Sequence, residues 1–260
     1  MERSVVDDNK WMPALAPVTG SGVRLFCLPY AGGGASIYRQ WSRLLSHHVS
    51  AVPLRLPGRE MRILDAPIDK LDLMLDALVT VLRPYVHQPY ALFGHSMGAL
   101  IAHELTLRLR AEGLALPILL GVSGRQAPHI PNPAGWESVR GMSDTRFRDI
   151  LMRINAATEA VLANPALYAL LLPTLRADFS LCEDYQVRPP RPLPVPIIAF
   201  GGTHDPSVAL EAVREWARHT TMGFSMNAIE GDHFFINSHA AQMCGAIEQY
   251  LVAGQARCVG

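Results

Sequence analysis

The stretch Gly94-His95-Ser96-Met97-Gly98 constrains this chain more than any other. It follows a short apolar run, Tyr90-Ala91-Leu92-Phe93, and opens a helical pattern that begins at Ala99. A strand that becomes a helix over Gly-x-Ser-x-Gly turns sharply, and the serine then sits on a strained corner with its hydroxyl exposed. Gly94 and Gly98 lack Cβ atoms, so strand and helix can approach closely there. An ordinary βα turn can carry the same letters. The decision therefore rests on whether the rest of a hydrolytic site is also present.

Short β-like runs alternate with longer helical patterns along the chain. Val23–Leu28 reads as a buried strand stopped by Pro29, and Val49–Leu54 as a second. Leu71–Tyr85 reads as a helix, because Leu71, Leu75, Leu78, Val79 and Leu82 recur at helical spacing. Tyr90–Phe93 is the strand before the serine, and Ala99–Glu112 its helix, stopped by Gly113. Pro117–Val122, Pro196–Phe200 and Phe224–Ile229 are further strands. Ser207 is expected to cap a helix running to His219, and Ala240–Val252 to close the fold. Alternation of this kind predicts an α/β architecture, a mostly parallel sheet with helices on both faces. The apolar fraction of 49% is ample for one such core.

The span from Ser123 to Pro194 breaks the rhythm. About 70 residues separate two strands, far more than one crossover helix needs. Phe147, Ile150, Leu151 and Ile154 predict one apolar helical face, and Leu167, Leu170, Leu171 and Leu175 another. Pro173 is expected to end or bend a helix between them. The return through Pro189-Pro190-Arg191-Pro192-Leu193-Pro194 is a stiff connector. The expected division is a tail over 1–22, a core over 23–123 and 195–254, an inserted helical lid over 124–194 and a tail over 255–260.

Formal net charge is zero, which gives no sign of nucleic acid or of a polybasic membrane surface. Residues Met1–Lys10 lack the apolar stretch of a signal peptide, and no apolar run is long enough to span a bilayer. Cys27, Cys182, Cys244 and Cys258 are scattered and form no C-x-x-C pair, so neither a zinc site nor a redox dithiol is expected. A reducing cytoplasm fits this usage.

A serine hydroxyl is a weak nucleophile at neutral pH and needs a base. Histidine is the fitting base, and a carboxylate must fix its tautomer and stabilise the imidazolium. The chain supplies these groups in the order serine, acid, histidine. Asp205 lies in Gly201-Gly202-Thr203-His204-Asp205-Pro206 after one strand, and His233 in Gly231-Asp232-His233-Phe234-Phe235 after the last. Ser96, Asp205 and His233 thus fall on loops at one sheet edge, where chemistry collects in parallel sheets. Among the alternatives, His239 near the start of the last helix is the rival base, and Asp232 adjoins His233 too closely to turn back onto it. His47, His48, His87, His129 and His219 are expected on loops or surfaces without partners. An oxyanion hole would take one N–H from Met97 and a second from the loop Pro29-Tyr30-Ala31-Gly32-Gly33-Gly34-Ala35-Ser36. That loop lacks both the P-loop ending and the G-x-G-x-x-G spacing of nucleotide sites.

The chain resembles the type II thioesterases, the free-standing editing enzymes of polyketide and nonribosomal peptide synthesis, from about Arg24 to Leu251. The resemblance rests on Leu28-Pro29-Tyr30-Ala31-Gly32-Gly33-Gly34, Leu56-Pro57-Gly58-Arg59-Glu60, Gly94-His95-Ser96-Met97-Gly98, Ser123-Gly124-Arg125 and Leu175-Arg176-Ala177-Asp178-Phe179, together with the two loops carrying Asp205 and His233. It implies an α/β-hydrolase fold with an inserted helical lid, and antibiotic-type biosynthesis as the setting. The implied substrate is an acyl thioester on the phosphopantetheine arm of an acyl or peptidyl carrier protein acting in trans. Small acyl thioesters would also serve, and no cofactor of the enzyme's own and no metal is implied. The resemblance further implies that Ala31 gives the second oxyanion N–H, that the lid roofs the acyl chamber, and that Tyr30, Gly32, Arg59, Arg125, Arg176 and Phe234 contact substrate or carrier. For the arginines a structural role stays open, each holding a carboxylate such as Glu60 or Asp178. A medium-chain fatty-acyl thioesterase or a general carboxylesterase would use the same triad.

Overall fold

The computed structural model describes residues 8–15, 22–131, 138–154 and 163–257. Six strands form one parallel sheet in the order β2-β1-β3-β4-β5-β6: β1 Val23–Leu28, β2 Val49–Pro53, β3 Tyr90–His95, β4 Leu119–Ser123, β5 Ile197–Gly202 and β6 Phe224–Ile229. The described helices are α1 Asp8–Trp11, α2 Trp41–Leu44, α3 Leu71–Leu82, α4 Met97–Ala111, α5 Asp144–Ile154, α6 Pro165–Glu183, α7 Leu210–Arg214 and α8 Ala240–Arg257. The parallel sheet with helices on both faces is what the strand–helix alternation predicts, and the whole is the α/β-hydrolase fold that the resemblance implies.

Alternate side chains of these continuously buried strands point to opposite faces, so both faces of the sheet are covered. Phe26 and Leu28 of β1, with Tyr90 and Leu92 of β3, join the core under α3 and α4. Val23, Leu25 and Cys27, with Ala91 and Phe93, face the opposite way into the core closed by α8 and by Trp41 of α2. Phe93, Trp41 and Tyr38 interlock there, with Trp41 and Phe93 ring centroids 4.8 Å apart. Burial of side chains this size contributes roughly 1.5–3 kcal/mol each.

The strand order sets the position of the site. The chain leaves β1 for β2 on one side, then returns to place β3 on the other side of β1. Loops after β1 and β3 therefore part at the carboxyl edge, and a crevice opens between them. The loops after β4, β5 and β6 end at the same edge, because every pairing is parallel.

Several local expectations are corrected. Pro173 does not end a helix: it lies inside α6, which continues from Pro165 to Glu183. Asn164 caps that helix, its side chain accepting from the N–H groups of Ala166 and Leu167. The buried face of α6 is Tyr168, Thr174, Ala177, Asp178 and Leu181, whereas Leu167 and Leu170 are exposed. Val139, Phe147, Leu151 and Tyr168 form a small core of the insertion. Ser207 caps no helix: α7 starts at Leu210, and Glu215–His219 continues as a tighter 3-10 turn. The expected N-terminal tail is packed where it is described, with Met12 fully buried and the Arg62 guanidinium over Trp11. Helix α8 extends through Arg257, and Cys258 lies outside the described residues.

Candidate active site

Ser96 stands between β3 and α4 with φ 55° and ψ −112°, a conformation that costs a non-glycine residue strain. Its neighbours permit the corner. A Cβ on Gly94 would lie 2.0 Å from the Gly98 carbonyl oxygen, and one on Gly98 would lie 2.2 Å from that of Leu28. The Ser96 N–H donates to the Ser123 carbonyl at 2.7 Å, tying the corner to β4.

His233 joins the serine to an acid. Its Nε2 is 3.1 Å from Ser96 Oγ, and its Nδ1 is 2.6 Å from Asp205 Oδ2. Asp205 accepts through Oδ2, so Nδ1 carries the proton and Nε2 is free to accept from the serine hydroxyl. The other carboxylate oxygen of Asp205 accepts from the Ser207 N–H at 2.8 Å, the Ser207 hydroxyl at 2.6 Å and the Val208 N–H at 3.2 Å. Burial pushes the Asp205 carboxyl up, but the His233 and Ser207 hydrogen bonds more than offset it and hold it below its ordinary value. The acid thus stays ionised where a base partner needs it.

His95, beside the nucleophile, faces the sheet interior. Its Nε2 is 2.8 Å from the His233 backbone carbonyl, which can only accept, so Nε2 bears the hydrogen. Burial, then the charge of His233, pushes its pKa down to about 3. The ring is therefore neutral, and Nδ1 accepts from the Ser123 hydroxyl at 2.8 Å. A chain Ser123–His95–His233 braces the catalytic loop from below.

Ala31 and Gly32 are the central residues of a turn closed by the Gly33 N–H on the Tyr30 carbonyl at 2.9 Å. Gly32 has φ +76°, the sign that the third position of a type II turn requires. Met97 is the first residue of α4, and N–H groups of a first helical turn have no partner within the helix. These two loops flank Ser96 across the crevice.

The remaining expected contacts divide. The Tyr30 ring packs edge-on against Phe234 at 5.2 Å and against His95 at 5.8 Å, lining the site beside His233. Arg59 is buried and bidentate to Asp178, with Nη2 to Oδ1 at 2.7 Å and Nη1 to Oδ2 at 3.0 Å. Arg176 spans Asp144 and the carbonyls of Val139 and Met142 inside the insertion. Arg55 pairs with Glu60. Arg59 and Arg176 each hold a carboxylate within the chain, Arg59 in a sealed pair with Asp178 and Arg176 in a partly exposed pair with Asp144. Arg125 touches Cys182 Sγ at 3.8 Å, and its carbonyl accepts from the Trp216 indole.

Asp232 accepts from the Phe234 N–H and turns away from His233, and His239 begins the approach to α8. His129 and His219 depart from expectation. His219 is buried, 2.9 Å from His129 through ring nitrogens and packed on His103 and Trp216. No sequence signal near either residue marked this cluster, because its members come from three elements. Among the described residues no group of histidine, cysteine and acidic side chains could hold a metal ion. No described helix is long and apolar enough to cross a membrane.

The sheet order, the strained serine corner and the relay behind it define a hydrolase of the α/β-hydrolase fold. The thioesterase domain family model matches residues 23–251, and the chain belongs to that family, among the type II thioesterases of nonribosomal peptide and polyketide pathways. It is 37% identical over 235 residues to the gramicidin S biosynthesis protein GrsT of Aneurinibacillus migulanus, covering 90% of this chain and 91% of that one. It is 35% identical over 254 residues to a protein named linear gramicidin dehydrogenase LgrE of Brevibacillus parabrevis, covering 96% of both. The structure of the type II thioesterase BorB from the borrelidin biosynthetic cluster superposes with a TM-score of 0.81 at 34% identity, over 93% of this chain and 97% of that one. The protein is a thioesterase.

Proposed function

We propose that this thioesterase edits a nonribosomal peptide or polyketide assembly line, hydrolysing aberrant or stalled acyl groups from the phosphopantetheine arm of carrier proteins supplied in trans. The observation that carries the reading is the Ser96–His233–Asp205 relay, at 3.1 Å and 2.6 Å, on the carboxyl edge of the sheet. The arm belongs to the substrate, so the enzyme needs no cofactor of its own. The pathway setting argues for the cytoplasm.

Ser96 Oγ attacks the thioester carbonyl carbon while its proton passes to His233 Nε2. Charge builds on the carbonyl oxygen, and the N–H groups of Met97 and Ala31 are the donors that would stabilise it. Each such donor is typically worth about 3–4 kcal/mol. The C–S bond then breaks, the proton on His233 neutralises the departing thiolate, and the acyl group remains on Ser96 as an ester. His233 next takes a proton from water, the hydroxide adds to the ester, and collapse returns the serine hydroxyl with release of the acid. Asp205 stays ionised throughout and holds the imidazolium.

Residues 124–194 are read as a lid whose helices α5 and α6 roof the acyl chamber. Contact between Leu175 and the turn at Gly32 supports this reading. The dehydrogenase name of one relative is not carried over: the loop after β1 lacks a dinucleotide fingerprint, and a hydrolytic relay occupies the crevice.

The test is kcat/KM for an acyl carrier protein, an acyl-pantetheine and a matched oxoester, with Ser96→Ala alongside. Preference for the carrier thioester, lost in Ser96→Ala, is expected. An oxoester preference would move the function to a general carboxylesterase. Dominant turnover of medium-chain fatty-acyl carriers would move it to fatty-acid termination. Near-normal thioester turnover by Ser96→Ala would overturn the relay itself.

A further inference from the structure

The turn that carries Ala31 does not stand alone. The Gly32 N–H donates to Asp178 Oδ2 at 2.7 Å, and Asp178 belongs to α6, 146 residues away in sequence. The same oxygen accepts from Arg59 Nη1 at 3.0 Å, while Arg59 also donates to the Gly33 carbonyl at 2.9 Å and the Pro57 carbonyl at 3.2 Å. Both side chains of the pair are essentially sealed from solvent, at 4% and 0% exposure. Leu175, one turn before Asp178 on the same helical face, lies so close that a Cβ on Gly32 would meet its Cδ2 at 2.6 Å. Thr174 adds a hydrogen bond from its hydroxyl to the Gly58 carbonyl. One face of α6 is therefore seated on the turn after β1 and on the loop after β2 together.

We propose that Asp178 is a positioning residue for thioester hydrolysis. It holds the Ala31–Gly32 peptide by accepting the Gly32 N–H, so the oxyanion turn is competent only while α6 is seated. Arg59 keeps the carboxylate in place and grips the far side of the same turn through Gly33. Gly32, Gly33 and Gly34 follow one another, and glycines lose much freedom when held, so the turn depends on the bonds that pin it. A donor misdirected by about 1 Å costs up to about a hundredfold in rate. Unseating α6 would thus expose the crevice and switch off hydrolysis in one movement, which would spare a carrier that merely collides with the enzyme. The inference rests on the proposed reading of Ser96 and Ala31.

The experiment compares two double variants with the parent, Arg59→Met with Asp178→Leu and Arg59→Met with Asp178→Asn. Exchanging a buried ion pair for apolar groups of similar volume is often neutral for stability, so the leucine pair is designed to fold. It lacks an acceptor for Gly32, whereas asparagine keeps an oxygen there. The expected result for the leucine pair is a kcat about 10- to 100-fold below the parent with KM changed less than about threefold. Its affinity for phenylboronic acid, whose tetrahedral adduct on Ser96 presents an oxygen to the oxyanion hole, falls by the same factor as kcat/KM. The asparagine pair keeps at least about tenfold more kcat than the leucine pair. Equal kcat in both pairs with parental boronate affinity overturns the proposal, since a merely structural seat would not distinguish them. If the leucine pair does not fold, amide exchange of the native protein decides. Gly32 protected alongside β1 supports the latch, and exchange at open-loop rates overturns it. Fluorophosphonate labelling of the parent at Ser96 is measured first. A parent that does not label overturns the reading of the site, and a labelled parent with indistinguishable pairs overturns only the role of Asp178.

Discussion

His95 Nε2 donates to the backbone carbonyl of His233 over 2.8 Å, so the residue beside the nucleophile holds the loop that carries the base. The bond links neighbours in space that are 138 residues apart in sequence. It directs the ring of His95 away from substrate and into the sheet. His95→Ala should lower kcat about 10- to 100-fold, because the catalytic imidazole loses its support rather than its chemistry. KM should change far less. Steady-state kinetics and the rate of fluorophosphonate labelling check this together, and a variant with parental labelling rate would remove His95 from the positioning of His233.

The two acids flanking the last loops should separate sharply. Asp205→Asn should reduce turnover by about 10⁴-fold, since an amide opposite His233 Nδ1 favours the wrong tautomer. Asp232→Asn should leave turnover nearly unchanged, because that carboxylate bonds the Phe234 N–H instead. Ser207→Ala removes one charge-assisted hydrogen bond to Asp205 and should cost about tenfold. The ranking of the three in kcat/KM is the measurement, and a large effect at Asp232 with a mild one at Asp205 would reassign the acid.

Acid should destabilise the fold through histidines that are buried uncharged. His95 is held down to about 3 by burial and then by His233. His219 is held down to about 3 by burial and then by the charges of His103, His129 and Arg218. The unfolded chain takes up these protons near pH 6.5 and the native one does not. Their contribution is complete above about 6.5 and is lost as pH falls from there toward about 3. Each can steepen the fall by up to about 1.4 kcal/mol per pH unit. The depressed Asp205 carboxyl acts lower, where its own stabilisation disappears with protonation. Urea unfolding from about pH 7 to about pH 4 should show this slope, shallower in His219→Gln. An identical slope in that variant would contradict the assignment.

Carrier recognition should respond to salt in a way the chemistry does not. With zero net charge, any attraction for a partner of one sign must come from a local patch. Arg59 is sealed in its pair with Asp178, so the patch draws on more exposed cations. kcat/KM for an acyl carrier should fall steeply as ionic strength rises from about 0.05 M to about 0.5 M. Turnover of an acyl-pantetheine should hardly move. Parallel curves for the two substrates would dismiss electrostatic docking and leave the hydrolysis intact.

The strands, their parallel arrangement and the serine corner were legible in the sequence because they follow from local sterics and short periods. Gly94 and Gly98 bracket Ser96 since no Cβ fits there, and that is a property of a few adjacent residues. The short, continuously buried runs Val23–Leu28 and Tyr90–His95 likewise need no distant partner to be read. The placing of Ser96, Asp205 and His233 at one sheet edge, after β3, β5 and β6, followed once the sheet was parallel. Tertiary structure alone decided which groups face one another. His95 could have been an idle neighbour of the serine, and only the return of the last loop gives it a carbonyl to hold. His129 and His219 read as surface residues until the chain folded one onto the other. Pro173 stays helical because packing of α6 on the loops at Gly32 and Gly58 outweighs a local preference to break. Arg59 could have served a carrier or held a carboxylate such as Glu60 or Asp178, and the sequence left the two open. The meeting of Arg59 and Asp178, 119 residues apart in a space closed to water, is set by where the insertion lands on the sheet edge, which no local pattern encodes.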